Sequence, residues 1–130
     1  MTETPDMAPI SIAFEAHEID NTAFHHKDHV RVAFDLLRKY DFIDAASIYA
    51  KGIRTLATNA GAPMKFNLTI TYAFMSLIAE RMEGNPNVDF DAFVAGNSDL
   101  MSKDLLMKWY DRERLNAEKA RSIFLLPNAA

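Results

Sequence analysis

The chain has no cysteine. Disulfides, thiol nucleophiles, zinc ribbons and iron–sulfur ligation are therefore excluded, and the composition fits a reducing compartment. No stretch approaches the run of about 20 apolar residues that a membrane helix needs. The formal net charge is −4, with acids and bases interspersed rather than gathered into a basic stripe, so no nucleic-acid partner is expected. Glu3 and Asp6 mark an acidic start without the basic and apolar regions of a secretory signal; a cytoplasmic protein without a membrane partner is the expectation. There is also no glycine-rich phosphate loop, no nucleophile elbow and no closely spaced pair of candidate catalytic carboxylates.

What is present is an ordinary globular balance. Of 130 residues, 49 % are apolar and 25 % charged, enough to bury a hydrophobic core without metals or cross-links. Residues 1–9, polar and carrying Pro5 and Pro9, read as a disordered tail, and residues 10–130 as a single helical domain. Ile10 to Phe14 could be a short extended piece or the start of a helix; Ile10, Ile12 and Phe14 alternate with smaller residues, which favours the extended reading.

The periodicity then turns helical. From His26 to Tyr40, Val30, Ala33, Phe34, Leu36 and Leu37 fall in one arc, while Lys27, Asp28, Arg31, Asp35, Arg38 and Lys39 lie opposite. A second helix is expected over Phe42–Ala60, capped by Asp41 and stopped by Gly61. Its stripe is Phe42, Ala46, Tyr49, Ile53, Leu56 and Ala60. So short a connection folds the two into an antiparallel hairpin. A third helix, about Asn67–Met82, has no charge between Leu68 and Ala79 and belongs at the centre of a bundle. Shorter helices are expected over about Phe90–Ala95, Lys103–Tyr110 and Ala117–Phe124, capped by Asp89, Ser102 and Asn116. The fold class is all-α: a compact bundle with a hairpin, a buried central helix and a C-terminal cluster of short helices.

The chemistry concentrates at His25-His26-Lys27-Asp28-His29. On the helical wheel His26 sits at the middle of the apolar arc and His29 at its edge. Inward-facing imidazoles at a helix N-terminus stay neutral, since the helix dipole disfavours added positive charge there. Neutral imidazole is the form that ligates metal or accepts a proton. The plain alternative is a pair of core histidines satisfied by a backbone carbonyl or a hydroxyl. His26 and His29 are candidate metal ligands, but their spacing does not favour a divalent metal: protease zinc helices carry histidines four apart around a glutamate. A third ligand would have to come from Glu80, Asn67 or His17.

Lys65 to Thr71 opens the third helix. Asn67 reads as a cap, while the free N–H groups beside Lys65 suit an anion. Thr71 points into an otherwise apolar helix. The Thr69, Ala73, Ser76 run, ended by Glu80, reads as a close-packing stripe, and Trp109-Tyr110 as a core or interface anchor.

These residues resemble a family of small uncharacterised helical bacterial proteins. Phe24, His26 and His29 match its Phe and His-x-x-His helix start. Gly61 and Ala62 match its break, and Lys65, Phe66, Asn67, Thr69 and Thr71 match its Lys-Tyr-His-x-Thr-x-Thr stretch. Tyr110, Leu115, Ala120, Arg121 and Pro127 match its C-terminal pattern. The resemblance spans about Phe24 to Pro127 and implies that the histidine pair and the Lys-to-Thr stretch meet in one pocket; it brings no activity with it. Asn67 stands where the family has histidine, and asparagine is a poor transition-metal ligand.

Three readings follow. The first is a small-molecule-binding protein with His26, His29, Lys65, Asn67 and Thr71 lining a mostly apolar pocket. The second is an enzyme using a histidine base or a histidine-bound metal. The third is an interaction protein or homodimer whose histidines serve only the core. The first is preferred.

Overall fold

Short polar side chains set where three of the helices begin. The Asp41 carboxylate accepts from the Asp44 N–H at 2.9 Å, Asn67 Oδ1 from the Ile70 N–H at 2.9 Å, and Asp89 from the Ala92 N–H at 2.8 Å. Each satisfies a donor that the helix itself leaves open. The computed structural model describes residues 7–128, and within them the chain is all helical. The α-helices are α1 (Pro9–Glu15), α2 (His26–Lys39), α3 (Phe42–Asn59), α4 (Leu68–Glu83), α5 (Phe90–Gly96) and α6 (Arg112–Leu115). Single 3₁₀ turns at Asn21–Ala23, Pro63–Lys65, Ser98–Met101, Leu105–Lys108 and Glu118–Arg121 complete the chain. No helix among the described residues is long and apolar enough to cross a membrane.

The expected hairpin is formed by α2 and α3, and α4 packs against both. Val30, Ala33, Phe34 and Leu36 of α2 meet Ala45 and Tyr49 of α3 and Phe74, Met75 and Ile78 of α4 in one core. Gly61, with φ +73°, takes the left-handed conformation that ends α3. Phe42, expected on the buried stripe of α3, is 42 % exposed, because the first turn projects beyond the core.

Ile10 to Phe14 is helical, not extended. Pro9 stands at the first helical position, where its missing N–H costs nothing, and the buried residues are Ser11 and Phe14, three apart. The apolar alternation of this stretch was misleading, since a seven-residue helix needs only one i, i+3 pair to dock. Docking also inverts the expectation for Asp35. Assigned by the wheel to the solvent side of α2, it is 1 % exposed. Its Oδ2 accepts from the Ala8 N–H (3.0 Å), the Ser11 hydroxyl (2.7 Å) and Arg31 Nε (3.0 Å). Lys27, Arg38 and Lys39 of the polar side stay exposed, but around Asp35 that side is the seat of α1. Of the stretch read as a tail, residues 1–6 lie outside the described residues, while Met7 packs against the core and Ala8 is held by Asp35.

The C-terminal cluster is present with different elements. The helix expected over Lys103–Tyr110 is a 3₁₀ turn at Leu105–Lys108, and the one over Ala117–Phe124 is a 3₁₀ turn at Glu118–Arg121 preceded by α6. Ser102 does accept from the Asp104 N–H at 3.2 Å, but Asn116 follows α6 rather than opening a helix. Long-range bonds, not periodicity, shape this region. The Thr69 hydroxyl donates to the Ile123 carbonyl (2.7 Å) and accepts from the Leu125 N–H (3.0 Å). The buried Tyr110 hydroxyl donates to the Leu125 carbonyl at 2.7 Å. At the other end of α4, Arg81 grips Asp99 with two parallel bonds of 2.9 Å, and that guanidinium holds the Asp99 carboxyl well below the usual carboxylate range.

Candidate functional site

α2 opens with its histidines because Asp28 fixes the start: its Oδ2 accepts from the His25 N–H at 2.9 Å. The His25 side chain remains exposed, whereas His26 and His29 are half-buried, one helical turn apart, with ring centroids 6.4 Å apart.

His26 Nε2 lies 2.8 Å from the Leu100 carbonyl oxygen. A carbonyl only accepts, so Nε2 carries the proton. His29 Nδ1 lies 3.1 Å from the Tyr49 hydroxyl. Burial pushes the Tyr49 pKa up, so the hydroxyl keeps its proton and needs an acceptor. The assignment that satisfies it has Tyr49 donating to Nδ1, which leaves His29 with an Nε2–H. Burial, and secondarily the neighbouring His26, lowers the His29 pKa to about 4, so its ring is neutral at physiological pH.

Both rings thus have the carbonyl or hydroxyl partner of an ordinary core histidine, and yet they border open space. His26, His29, Lys65, Asn67 and Thr71 line one cleft of about 270 Å³, together with Tyr49, Ile53, Ile70, Phe74, Ser102, Lys103, Leu105 and Leu106. Four separate stretches build it: the start of α2, the middle of α3, residues 65–74 leading into α4, and residues 102–106. The Phe74 ring lies 6.1 Å from His26 and 6.2 Å from Tyr49, centroid to centroid, giving the cleft an aromatic side.

Asn67 and Thr71 are more committed than the sequence implied. Asn67 Oδ1 caps Ile70, and its Nδ2 donates to the Leu115 carbonyl at 2.7 Å. The Thr71 hydroxyl donates to the Asn67 carbonyl at 2.7 Å, which accounts for a hydroxyl on an apolar helix. Each side chain is held in place by the fold before any ligand is considered.

Of the three candidate third metal ligands, Asn67 lines the cleft with its amide already bonded to Ile70 and Leu115, and the other two lie elsewhere. His17 borders a small crevice with Phe14 and Gly52, and Glu80 borders a groove with Trp109 and Phe124; neither lines the cleft. Among the described residues no group of three His, Asp or Glu side chains is disposed to hold a metal ion. Nor does the small-residue run of α4 serve close packing along its length. Thr69 is buried, but Ala73, Ser76 and Glu80 line that second groove with Trp109, Tyr110, Phe124 and Pro127.

Sequence reasoning missed Tyr49, Ile53, Ile70, Phe74, Ser102, Lys103, Leu105 and Leu106 as lining residues. Tyr49 had a signal: a hydroxyl on a core-facing stripe, facing a histidine helix across a hairpin. Lys103 had none, because its position depends on the irregular path after α5. No family model, no curated protein and no solved structure matches the chain.

Proposed function

We propose that the chain binds a small molecule in the cleft at the start of α2, with His26, His29 and Asn67 as polar contacts around an apolar bed. What carries this reading is the convergence of residues 26–29, 49–53, 65–74 and 102–106 on one opening: few precisely oriented polar groups among apolar walls is the make-up of small-molecule sites. Binding is favoured over base catalysis by His29 because a group with a pKa of about 4 is a feeble proton acceptor, whereas an efficient general base titrates near its working pH. The cleft is also favoured over the larger groove beside Trp109, where Arg81 is already tied to Asp99.

The test is native mass spectrometry of gently purified protein beside an Ile70→Trp variant. Ile70 is 37 % exposed at the cleft, so a larger ring there obstructs the opening without overfilling the core. A retained small molecule in the wild type, lost in a variant with an unchanged melting temperature, supports the reading. Equal retention by both locates the ligand elsewhere.

Self-association is a second reading with its own observation. Ile123, Phe124 and Leu126 are 52, 44 and 68 % exposed within four residues of one another, an apolar run of the kind that a partner surface covers. Sedimentation of the wild type and of Leu126→Ser tests it: a dimer that becomes a monomer in the variant supports the reading, and a wild-type monomer at high concentration removes it.

A further inference from the structure

We infer that the cleft is built for an organic anion, a flat apolar body bearing one carboxylate or phosphate ester. The inference rests on the binding reading above and adds the chemical class of the ligand.

The first argument is charge. Acids outnumber bases in the chain, 18 to 14, yet the cleft is lined by two lysines, Lys65 and Lys103, and by no acidic side chain. Neither lysine has a carboxylate within ion-pair distance among the described residues, where the salt bridges use Arg31, Lys39, Arg81, Lys108, Arg112 and Arg121. Asp104, next in sequence to Lys103, lies 3.9 Å from Arg112 instead. Two cations at the rim of a partly apolar cleft leave a positive potential that a ligand of opposite charge would neutralise.

The second argument is the balance of donors and acceptors. Asn67 Oδ1 is taken by the Ile70 N–H and the Asn67 carbonyl by Thr71. The Leu100 carbonyl is taken by His26. What remains for a ligand is mostly donors, the two ammonium groups, the His29 Nε2–H and the Ser102 hydroxyl proton, set against one ring acceptor, His26 Nδ1. A complementary ligand supplies acceptor oxygens and negative charge. Its apolar body has Phe74, Leu105 and Leu106 to lie on.

The experiment is a methyl-labelled NMR titration of the full chain with phenylacetate, phenyl phosphate, phenylacetamide, phenethylamine and inorganic phosphate, and with the naphthyl counterparts of the four organic probes. The reporters are the Ile53, Ile70, Leu105 and Leu106 methyls. At least one aryl anion is expected to bind tenfold or more tightly than its matched amide and amine. Lys65→Met/Lys103→Met is expected to remove that advantage, bringing the anion to within about twofold of its matched amide in the same variant, with the spectrum of the fold unchanged; both lysines are exposed. Whichever aryl anion binds more tightly assigns the head group. Amide or amine binding as tight as the acid overturns the anion inference and leaves the binding reading standing. Inorganic phosphate binding as tightly as phenyl phosphate overturns the apolar body. No probe of any charge shifting the reporters overturns both readings.

Discussion

Gly52 faces the ring of Phe14 so closely that a Cβ on the glycine would stand 2.3 Å from the ring's Cζ. Glycine inside a helix is ordinarily a cost of about 0.5–1 kcal/mol relative to alanine, so at an unhindered site Gly→Ala would stabilise α3. Here the clash outweighs propensity, because Phe14 is 2 % exposed and its ring is packed from α1 onto α3. Gly52→Ala is expected to lower stability by about 1–3 kcal/mol, read by urea unfolding. Phe14→Leu/Gly52→Ala should cost less than the sum of the single changes. Phe14 also stacks on Phe24 and Tyr49, at 5.7 Å each, and Phe24 meets the His29 ring edge-on at 4.5 Å. Gly52→Ala should therefore also displace the His29 ring resonances, although Gly52 does not line the cleft.

Asp35 is the latch of α1. Its Oδ2 holds three donors, and its Oδ1 is buried with no partner among the described residues. Asp35→Ala leaves the buried Ser11 hydroxyl without its acceptor, while the partly exposed Arg31 can turn to water; a buried donor left unpaired costs about 1–3 kcal/mol, to which the loss of the Ala8 and Arg31 bonds adds. Ser11→Ala should cost about 1.5–3 kcal/mol, as expected for one hydrogen bond to a charged group. Hydrogen exchange should show α1 opening first in both variants. Uniform destabilisation with α1 still protected would contradict the latch.

The neutral His29 ring makes stability depend on pH. Its pKa is about 4 in the fold against 6.5 ordinarily, so between those values the unfolded chain binds more protons. This contribution is complete above about pH 6.5 and is lost as pH falls toward 4. At 1.36 kcal/mol per unit it amounts to roughly 3 kcal/mol. His29→Gln should be less sensitive than the wild type in urea unfolding at pH 7 and pH 5. An NMR titration of the His29 ring should show a midpoint well below 6; a midpoint near 6.5 would mean that the ring is solvated.

Asn67 separates architecture from binding. Asn67→Ala removes both the cap on α4 and the tie to Leu115, with an expected loss of about 1–3 kcal/mol. Asn67→Asp keeps a capping oxygen but sets an anion beside the Leu115 carbonyl, so it should retain the start of α4 while loosening α6 in hydrogen exchange.

The sequence carried the long helices because their signals are local. Asp41, Asn67 and Asp89 each cap within three residues of themselves, and the apolar arcs of α2 and α4 repeat over several turns. It did not carry α1, whose place depends on Asp35 twenty-four residues from Ser11, nor the C-terminal turns, tied to Thr69 across more than fifty residues. The same division runs through the cleft. His26 and His29 follow from the wheel and Asn67 from its capping position, but Lys103 and Leu105 reach the cleft by an irregular path that no period encodes. Asp35 shows the hazard of reading one helix alone: a polar wheel position is exposed only if nothing else packs there.

The most direct measurement is a crystal structure of the protein soaked with a mixture of neutral and charged aromatic fragments. The account requires a fragment in the space bounded by His29, Phe74, Lys65 and Lys103, with a polar atom within hydrogen-bonding distance of His29 Nε2. Fragments seated only in the Trp109 groove, or a cleft closed by Leu105 and Leu106 with His29 facing bulk solvent, would contradict it.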